Sequence, residues 1–335
     1  CSCVGMSKFS GGFHFVYGKL RWKHNCGSTD ASGWDTCMGD LIMGSIYQFR
    51  YDCLTELNGS DIEVAIAMSN ILSAVLRSHI MTLFGEICQK EIGNPSGHSN
   101  TIVDNTIGHY IAKAYAWVVS VYEHPCEEDW EVYSKDFEEN VDMNLFGDDD
   151  MFSVSDEYRD LFDPDAIIKA SAELGFVFTT QEEKLADAST LSFLSHSVTV
   201  DRNGFTVPYL PIDRLSSAAV FSNSADLVIR AQRLSNLRYE GYYTEGWLPL
   251  VDSMIALFKR KHPDPEVLAV FDCQLSNREI EHLYIPLEAC SPLKSGSGKS
   301  MPRILKNEKS LYRKMPTQVN QQQRPQRSNK EKNAA

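Results

Sequence analysis

Three stretches of this chain have residue types and spacings suited to chemistry on phosphate. The first is "NLFGDDDMFS", residues 144–153, where Asp148, Asp149 and Asp150 follow an apolar run and a glycine and precede a second apolar run. Like charges crowded at one point repel and resist losing water, so a folded chain keeps them at a solvated turn or around a cation. The second is "TDASGWD", in which Asp30 and Asp35 sit where a strand's even spacing is broken by Ser32 and Gly33 on the way into a helix. Two separate acidic points that a fold brings together are what a two-cation site requires. Hard divalent cations take oxygen ligands, and two of them about 3.5–4 Å apart hold the attacking and leaving oxygens of a phosphoryl transfer.

The third stretch is "GNPSGHSNTIVDNT", residues 93–106. Gly93 and Gly97 flank Pro95 and Ser96 in a loop that can flex and bring backbone close to a ligand. Thr101 and Asn105 lie one helical turn apart and share a face, an arrangement suited to sugar hydroxyls. A capped helix after a turn is the plainer reading of the same residues.

The elements that must position these groups are legible in the patterning. "GDLIMGSIYQFRYDCLTEL" has helical spacing. "SDIEVAIAMSNILSAVLRSHI" predicts a helix capped by Ser60, with Glu63 completing a capping box and Ile62, Ile66, Met68, Ile71, Val75 and Leu76 on one apolar side. "MTLFGEICQKEIG" predicts a short strand pair. The following helix, "NTIVDNTIGHYIAKAYAWVVSVYE", places Val103, Ile107, Ile111, Ala114 and Val118 inward, opposite Thr101 and Asn105. A hairpin is expected between Met143 and Val154 with its turn at Gly147 to Asp150, and Asp150 should point away from any metal, as a neighbour along a strand does. "DPDAIIKASAELG" is a helix with Pro164 in its first turn and Gly175 as its stop. "FVFTT" and "STLSFLSHSVTVDRNGFTVPYL" supply strands, the latter turning at Asn203 and Gly204, and helical patterning runs from Pro211 to about Pro286.

Composition bounds the rest. The 335 residues, 43% of them hydrophobic, suffice for one large domain or two modest ones. The longest apolar stretches, such as "YAWVVSVY", fall short of the roughly 20 residues a membrane helix needs, and the start does not resemble a signal peptide. Nine cysteines without paired spacing are expected as free thiols in a reducing compartment. A metal site at Cys1, Cys3, His24 and Cys26 is the weaker alternative. The net charge of -13 would argue against a nucleic-acid partner, but it is unevenly spread. From Ser291 onward there are eleven Lys or Arg and two Glu, a surplus of +9, which leaves -22 on residues 1–290. That Gln-, Lys- and Arg-rich end is expected to be disordered. Beginning at Cys1 without a Met, the chain reads as a piece of something longer.

In order and spacing, "DASGWD", "NPSGHSNTIVDN" and "FGDDD" resemble motifs A, B and C of the RNA-dependent RNA polymerases of positive-strand RNA viruses. The flanks "KFSGGFHFVYGKL", "GEICQKEIGNPSG" and "TLSFLSHSVTV" are most similar to astrovirus-like and picornavirus-like members. The resemblance implies an α+β fold: a right-hand polymerase palm, an antiparallel sheet backed by helices, over residues 1–203, with a partial fingers insertion at about 41–92. It also implies a mostly helical thumb over 204–286 and a disordered basic tail over 287–335. Asp30, Asp148 and Asp149 would then hold two Mg²⁺ or Mn²⁺ ions, and Asp35, Ser96, Thr101 and Asn105 would surround the ribose of the incoming nucleotide. A site that bonds the 2′-hydroxyl leaves polar groups unpaired when a deoxynucleotide enters and so rejects it.

By the same resemblance "FVFTTQEEK" corresponds to motif D, with Lys184 as proton donor to the leaving pyrophosphate. "LSFLSHSV" matches the motif E strand pair, with Ser195 and His196 replacing the usual basic pair. The family's basic triphosphate-binding residues lie well upstream of motif A, and only twenty-nine residues precede Asp30 here. The expectation is a palm-and-thumb fragment with little activity alone. Its partners would be RNA template and primer, ribonucleoside triphosphates and other viral replication proteins, in membrane-associated replication complexes of the host cytoplasm. A nucleotide cyclase or nuclease would have no use for the Ser96, Thr101 and Asn105 face. A non-catalytic polymerase-like module remains the alternative of another class.

Overall fold

The computed structural model describes residues 2–287 apart from Ser60, Gln181, Ser222 and Asn223. The chain opens with α1 (Gly12–Gly18) and two short strands, β1 (Cys26–Gly27) and β2 (Asp30–Ala31). Helices α2 (Trp34–Cys37), α3 (Asp40–Asn58) and α4 (Ile62–Leu76) follow, then the hairpin β3 (His79–Met81) and β4 (Ile87–Gln89). Next come the long helix α5 (Thr101–Val121), α6 (Trp130–Asn140), and the strands β5 (Val141–Phe146) and β6 (Asp149–Val154). After α7 (Pro164–Glu173) and β7 (Phe178–Thr179), the hairpin β8 (Ser197–Val200) and β9 (Thr206–Tyr209) leads into a helical region. That region comprises α8 (Ile212–Val220), α9 (Leu227–Glu240), α10 (Trp247–Lys261), α11 (Pro265–Asp272) and α12 (Asn277–Tyr284).

Mixed helix and small antiparallel sheets thus make the fold. Strand β6 is central in a three-stranded sheet of order β1, β6, β5. Side chains alternate across β6 as a strand's two-residue period requires. Phe152 and Val154 enter a core with Ala116 and Trp117 of α5, Phe162 and Ile167, while Met151 enters a separate core with Phe13, Val16 and Phe193. Both faces of β6 are therefore covered, and the six-residue strand is buried almost throughout. The first strand forks: Cys26 and Gly27 pair with Ser153 and Phe152 of β6, whereas Asp30 and Ala31 pair with Thr179 and Phe178 of β7. Ser28 and Thr29 span the fork.

The C-terminal helices bury Leu215, Leu234, Trp247, Val251 and Phe271 in a core of their own. They are tied to the chain's start by the Gly11 amide, which donates to the Tyr284 carbonyl at 3.1 Å, and by Phe9 against Tyr284. Their local signals are strong: Asp226, Asp264 and Ser276 cap α9, α11 and α12, and Ser276 with Glu279 forms a complete capping box. Helix α7 starts as expected with Pro164 in its first turn, and Asp163 caps it. Between Phe193 and His196 a tight turn passes through Leu194 (φ 52°) and Ser195 (φ 63°), both in the left-handed region.

Several expectations are corrected. Asp61, not Ser60, caps α4, its carboxylate accepting from the Glu63 amide at 2.8 Å; Ser60 itself lies outside the described residues. The apolar side of α4 is divided. Val75 and Leu76 are buried and Met68 and Leu72 pack against the core, but Ile62, Ile66 and Ile71 are exposed, because α4 meets its neighbour α3 along only part of its surface. In α5 the expected inward residues Val103, Ile107, Ile111, Ala114 and Val118 are half-buried, and the deeper side carries Asn105, His109, Ala112 and Ala116. Helix α5 is enclosed on both sides, with α3, α7 and β5 among its neighbours, so its polar face is not a solvent face. The turn of the acidic hairpin is Gly147–Asp148 alone, and Asp149 and Asp150 already belong to β6. No helix among the described residues is long and apolar enough to cross a membrane. The basic tail from residue 288 onward lies outside the described residues.

Candidate active site

The acidic hairpin closes on the pair Phe146–Asp149, and Gly147 takes φ 66°, a conformation L-residues rarely adopt. This places Asp148 at the exposed tip and leaves Asp149 half-buried beside it. Asp30 is exposed on β2, whose next residue, Ala31, is buried. The three carboxylates have no hydrogen-bond donor or cation from the described residues, and they feel one another. Burial first, then the charges of Asp148, Asp30 and Asp150, push the Asp149 carboxyl up to about 6. A hard oxygen donor set with surplus negative charge fits divalent cations. Among the described residues no group of three or more His, Cys, Asp or Glu side chains is placed to hold a metal ion as it stands.

Asp150 has a different fate. Its side chain is fully buried on the α5 side of β6. Oδ1 accepts from the Thr29 amide at 2.6 Å and Oδ2 from the Thr29 hydroxyl at 2.9 Å. Lys113 of α5, itself fully buried, pairs with Oδ2, and its ammonium also donates to Thr29 Oγ1 at 2.7 Å. His109 Nε2 lies 3.2 Å from Oδ2. Burial alone would raise the Asp150 carboxyl, but Lys113 and His109 outweigh it and hold it well below the usual carboxylate range. The Lys113 nitrogen lies over two aromatic rings, 4.9 Å from the centroid of Phe152 and 5.2 Å from that of Phe178.

The turn is also held from beneath. Thr106 Oγ1 accepts from the Gly147 amide at 2.9 Å, and His109 Nδ1 lies 3.2 Å from the Gly147 carbonyl oxygen. Thr106, His109 and Lys113 recur at the spacing of one helix face. Sequence reading missed all three. The available signal was a His and a Lys four residues apart in the largely apolar second half of the helix, matched by one aspartate too many in the hairpin.

The second cluster lies around Asp35, in the first turn of α2. Its Oδ1 accepts from Asn105 Nδ2 at 2.6 Å and its Oδ2 accepts from the Ser96 hydroxyl. Asn94, also missed, donates to Asn105 Oδ1 at 3.0 Å, and its amide donates to the Asp35 carbonyl at 2.7 Å. The loop can come this close because Gly93 has φ 95° and a Cβ there would stand 2.7 Å from the Asp35 carbonyl oxygen. Gly97 has no such requirement. The structure brings together Asp35, Ser96 and Asn105. Thr101 stays apart, its hydroxyl turned back toward the carbonyls of Pro95 (2.6 Å) and His98 (2.8 Å).

Lys184 is exposed in the loop after β7, and no described residue pairs with it. His196 packs on Phe13 with ring centroids 5.4 Å apart, and burial lowers it from its ordinary value. The alternative thiol site has no shared centre among the described residues: Cys3 donates to Asn144, Cys26 to the Trp22 carbonyl, and His24 pairs with Asp156 at 2.9 Å. Cys1 lies outside the described residues, and the seven described cysteines are free thiols.

By fold and site this is a mixed helix-and-sheet protein with an acidic hairpin beside a bonded Asp–Ser–Asn network. The family described as viral RNA-dependent RNA polymerase matches residues 1–246, and the chain belongs to it. Genome polyproteins are similar: 28% identity over 245 residues to that of Watermelon mosaic virus II (isolate USA), covering 72% of this chain and 22% of the relative. Soybean mosaic virus (strain N) gives 28% over 247 residues, 72% of this chain and 7% of the relative. Plum pox potyvirus (strain El amar) gives 26% over 231 residues, 69% and 14%. The chain thus spans less than a quarter of the length of these polyproteins, and the astrovirus-like or picornavirus-like placement draws no support from them.

Proposed function

We propose that this chain carries the catalytic centre of a viral RNA-dependent RNA polymerase, joining ribonucleotides to a primer on an RNA template. The observation that carries the reading is the acidic trio Asp30, Asp148 and Asp149, without partners among the described residues, in which burial first and then the neighbouring charges of Asp148, Asp30 and Asp150 raise the Asp149 carboxyl. Asp30, Asp148 and Asp149 would hold two Mg²⁺ or Mn²⁺ ions, which when bound polarise phosphoryl oxygens and favour the ionised attacking hydroxyl.

The remaining chemistry belongs to side chains. Asp35, with both oxygens already engaged by Ser96 and Asn105, holds those two groups as a preformed surface for ribose hydroxyls. Thr101 would join them only by turning its hydroxyl away from Pro95 and His98. Lys184, exposed and unpaired among the described residues, is free to swing toward a leaving pyrophosphate and donate a proton. On this reading residues 1–203 are a palm with a partial fingers insertion at about 41–92, residues 204–286 a thumb, and residues 287–335 a basic tail. The partners are template, primer, ribonucleoside triphosphates and other replication proteins, within replication complexes at host cytoplasmic membranes.

The test is primer extension on a defined RNA template with Mg²⁺, using a chain extended upstream and the same chain carrying Asp148→Ala. Extension that vanishes in the variant supports the reading. A variant as active as its parent, or an extended parent that incorporates nothing, favours a non-catalytic binding module.

A further inference from the structure

The third aspartate of the triplet has a task distinct from that of the first two. The ladder between β1 and β6 ends at Gly27–Phe152, where the first strand leaves β6 to join β7. Beyond that point the backbone amide of Thr29 has no strand partner, and the Asp150 carboxylate takes it at 2.6 Å. The same carboxylate takes the Thr29 hydroxyl at 2.9 Å, and the Ser28 hydroxyl donates to the Asp150 carbonyl at 2.9 Å. Thr29 adjoins Asp30 in the chain, and Asp150 adjoins Asp149. Each bond across the fork therefore sets the distance between the two segments that carry the unpaired carboxylates.

We propose that Asp150 is a buried clasp that fixes the spacing between the Asp30 segment and the Asp148–Asp149 turn, with Lys113 as its counter-charge and Thr106 and His109 tying the turn to α5. These are positioning residues, since none is directed at the open carboxylates. A buried carboxylate is costly to keep without a partner, and the fully buried Lys113 answers that cost beside the turn. The inference rests on the cation-site reading above and adds to it the groups that hold the site's two halves in register.

The test is titration calorimetry of Mn²⁺ into the 335-residue chain, with thermal unfolding alongside. The double variant Asp150→Leu/Lys113→Met removes the clasp and leaves no unpaired charge from the pair. Its Mn²⁺ affinity should fall about 10-fold, the scale of a lost outer-sphere partner. Asp150→Asn/Lys113→Met keeps an acceptor for the Thr29 amide and a donor for its hydroxyl, and should bind Mn²⁺ within about 2-fold of the parent. Should the first variant not fold, Thr29→Val, which deletes only the hydroxyl partner, must still weaken Mn²⁺ binding.

Wild-type affinity in the Leu/Met chain, or in Thr29→Val where that chain does not fold, overturns the clasp while leaving the cation site standing, provided Asp149→Asn loses affinity. An Asn/Met chain that loses as much as Asp149→Asn overturns it too, since Asp150 would then be a direct ligand. Unchanged binding in Asp149→Asn itself removes the cation-site reading and the clasp together.

Discussion

Two antiparallel hairpins, β5–β6 and β3–β4, have tips that are opposite in chemistry and in support. The β5–β6 tip is charged, yet its turn amide and carbonyl meet Thr106 and His109 of α5 and the following aspartate is bonded to Thr29 and paired with Lys113. The β3–β4 tip is apolar, with Leu83 101% and Phe84 92% exposed, and its turn is held only by its own Thr82. Apolar residues normally specify position and charges decorate it. Here the strands of the charged hairpin lie in apolar cores but its tip is fixed by polar contacts, and the apolar hairpin has nothing from the described residues packed on its tip. Precision in this fold follows the bonded polar groups.

The comparison breaks hardest at Lys113. Lys113→Met strands the Asp150 carboxylate in the interior and should cost about 3–5 kcal/mol of stability in denaturant unfolding. Gly93→Ala comes next, at about 1–3 kcal/mol, because Ala must hold a positive φ and its Cβ meets the Asp35 carbonyl.

A change of the opposite sign is expected at Asp149. Its carboxyl is raised, so the folded chain keeps the proton to higher pH than the unfolded one. That contribution to stability is complete below the ordinary carboxylate pKa of about 4 and lost as pH rises through about 6. Asp149→Asn should therefore raise the melting temperature at pH 7 and flatten its pH dependence between those values. Leu83→Ser with Phe84→Ser should be the mildest, within about 0.5 kcal/mol per site, since neither side chain loses burial.

How far the sequence could be read follows the same division. The acidic triplet, the hairpin, the Pro164 start of α7 and the glycine loop were legible because each is a local pattern with a local cause. The pairing of Asp35 with Ser96 and Asn105 was reachable by resemblance to the family's motifs, since the three lie far apart in the chain. The roles of Asn94, Thr106, His109 and Lys113 were not legible. Amphipathic periodicity assigns polar residues to solvent, and it failed for α5 because that helix is enclosed on both sides. It failed for α4 in the reverse sense, leaving Ile62, Ile66 and Ile71 uncovered. In both cases the deciding fact is which neighbours surround a helix, and no single helix's spacing encodes that.

The fork at Thr29 has a consequence for dynamics. Its amide hydrogen is held by a side chain rather than by a neighbouring strand, so its exchange with deuterium registers the opening of one carboxylate contact. The amide of Val154, held by the Asn25 carbonyl within the sheet, registers the larger opening of β1 from β6. The ratio of the two rates would separate breathing at the fork from unfolding of the sheet, without any ligand or substrate present.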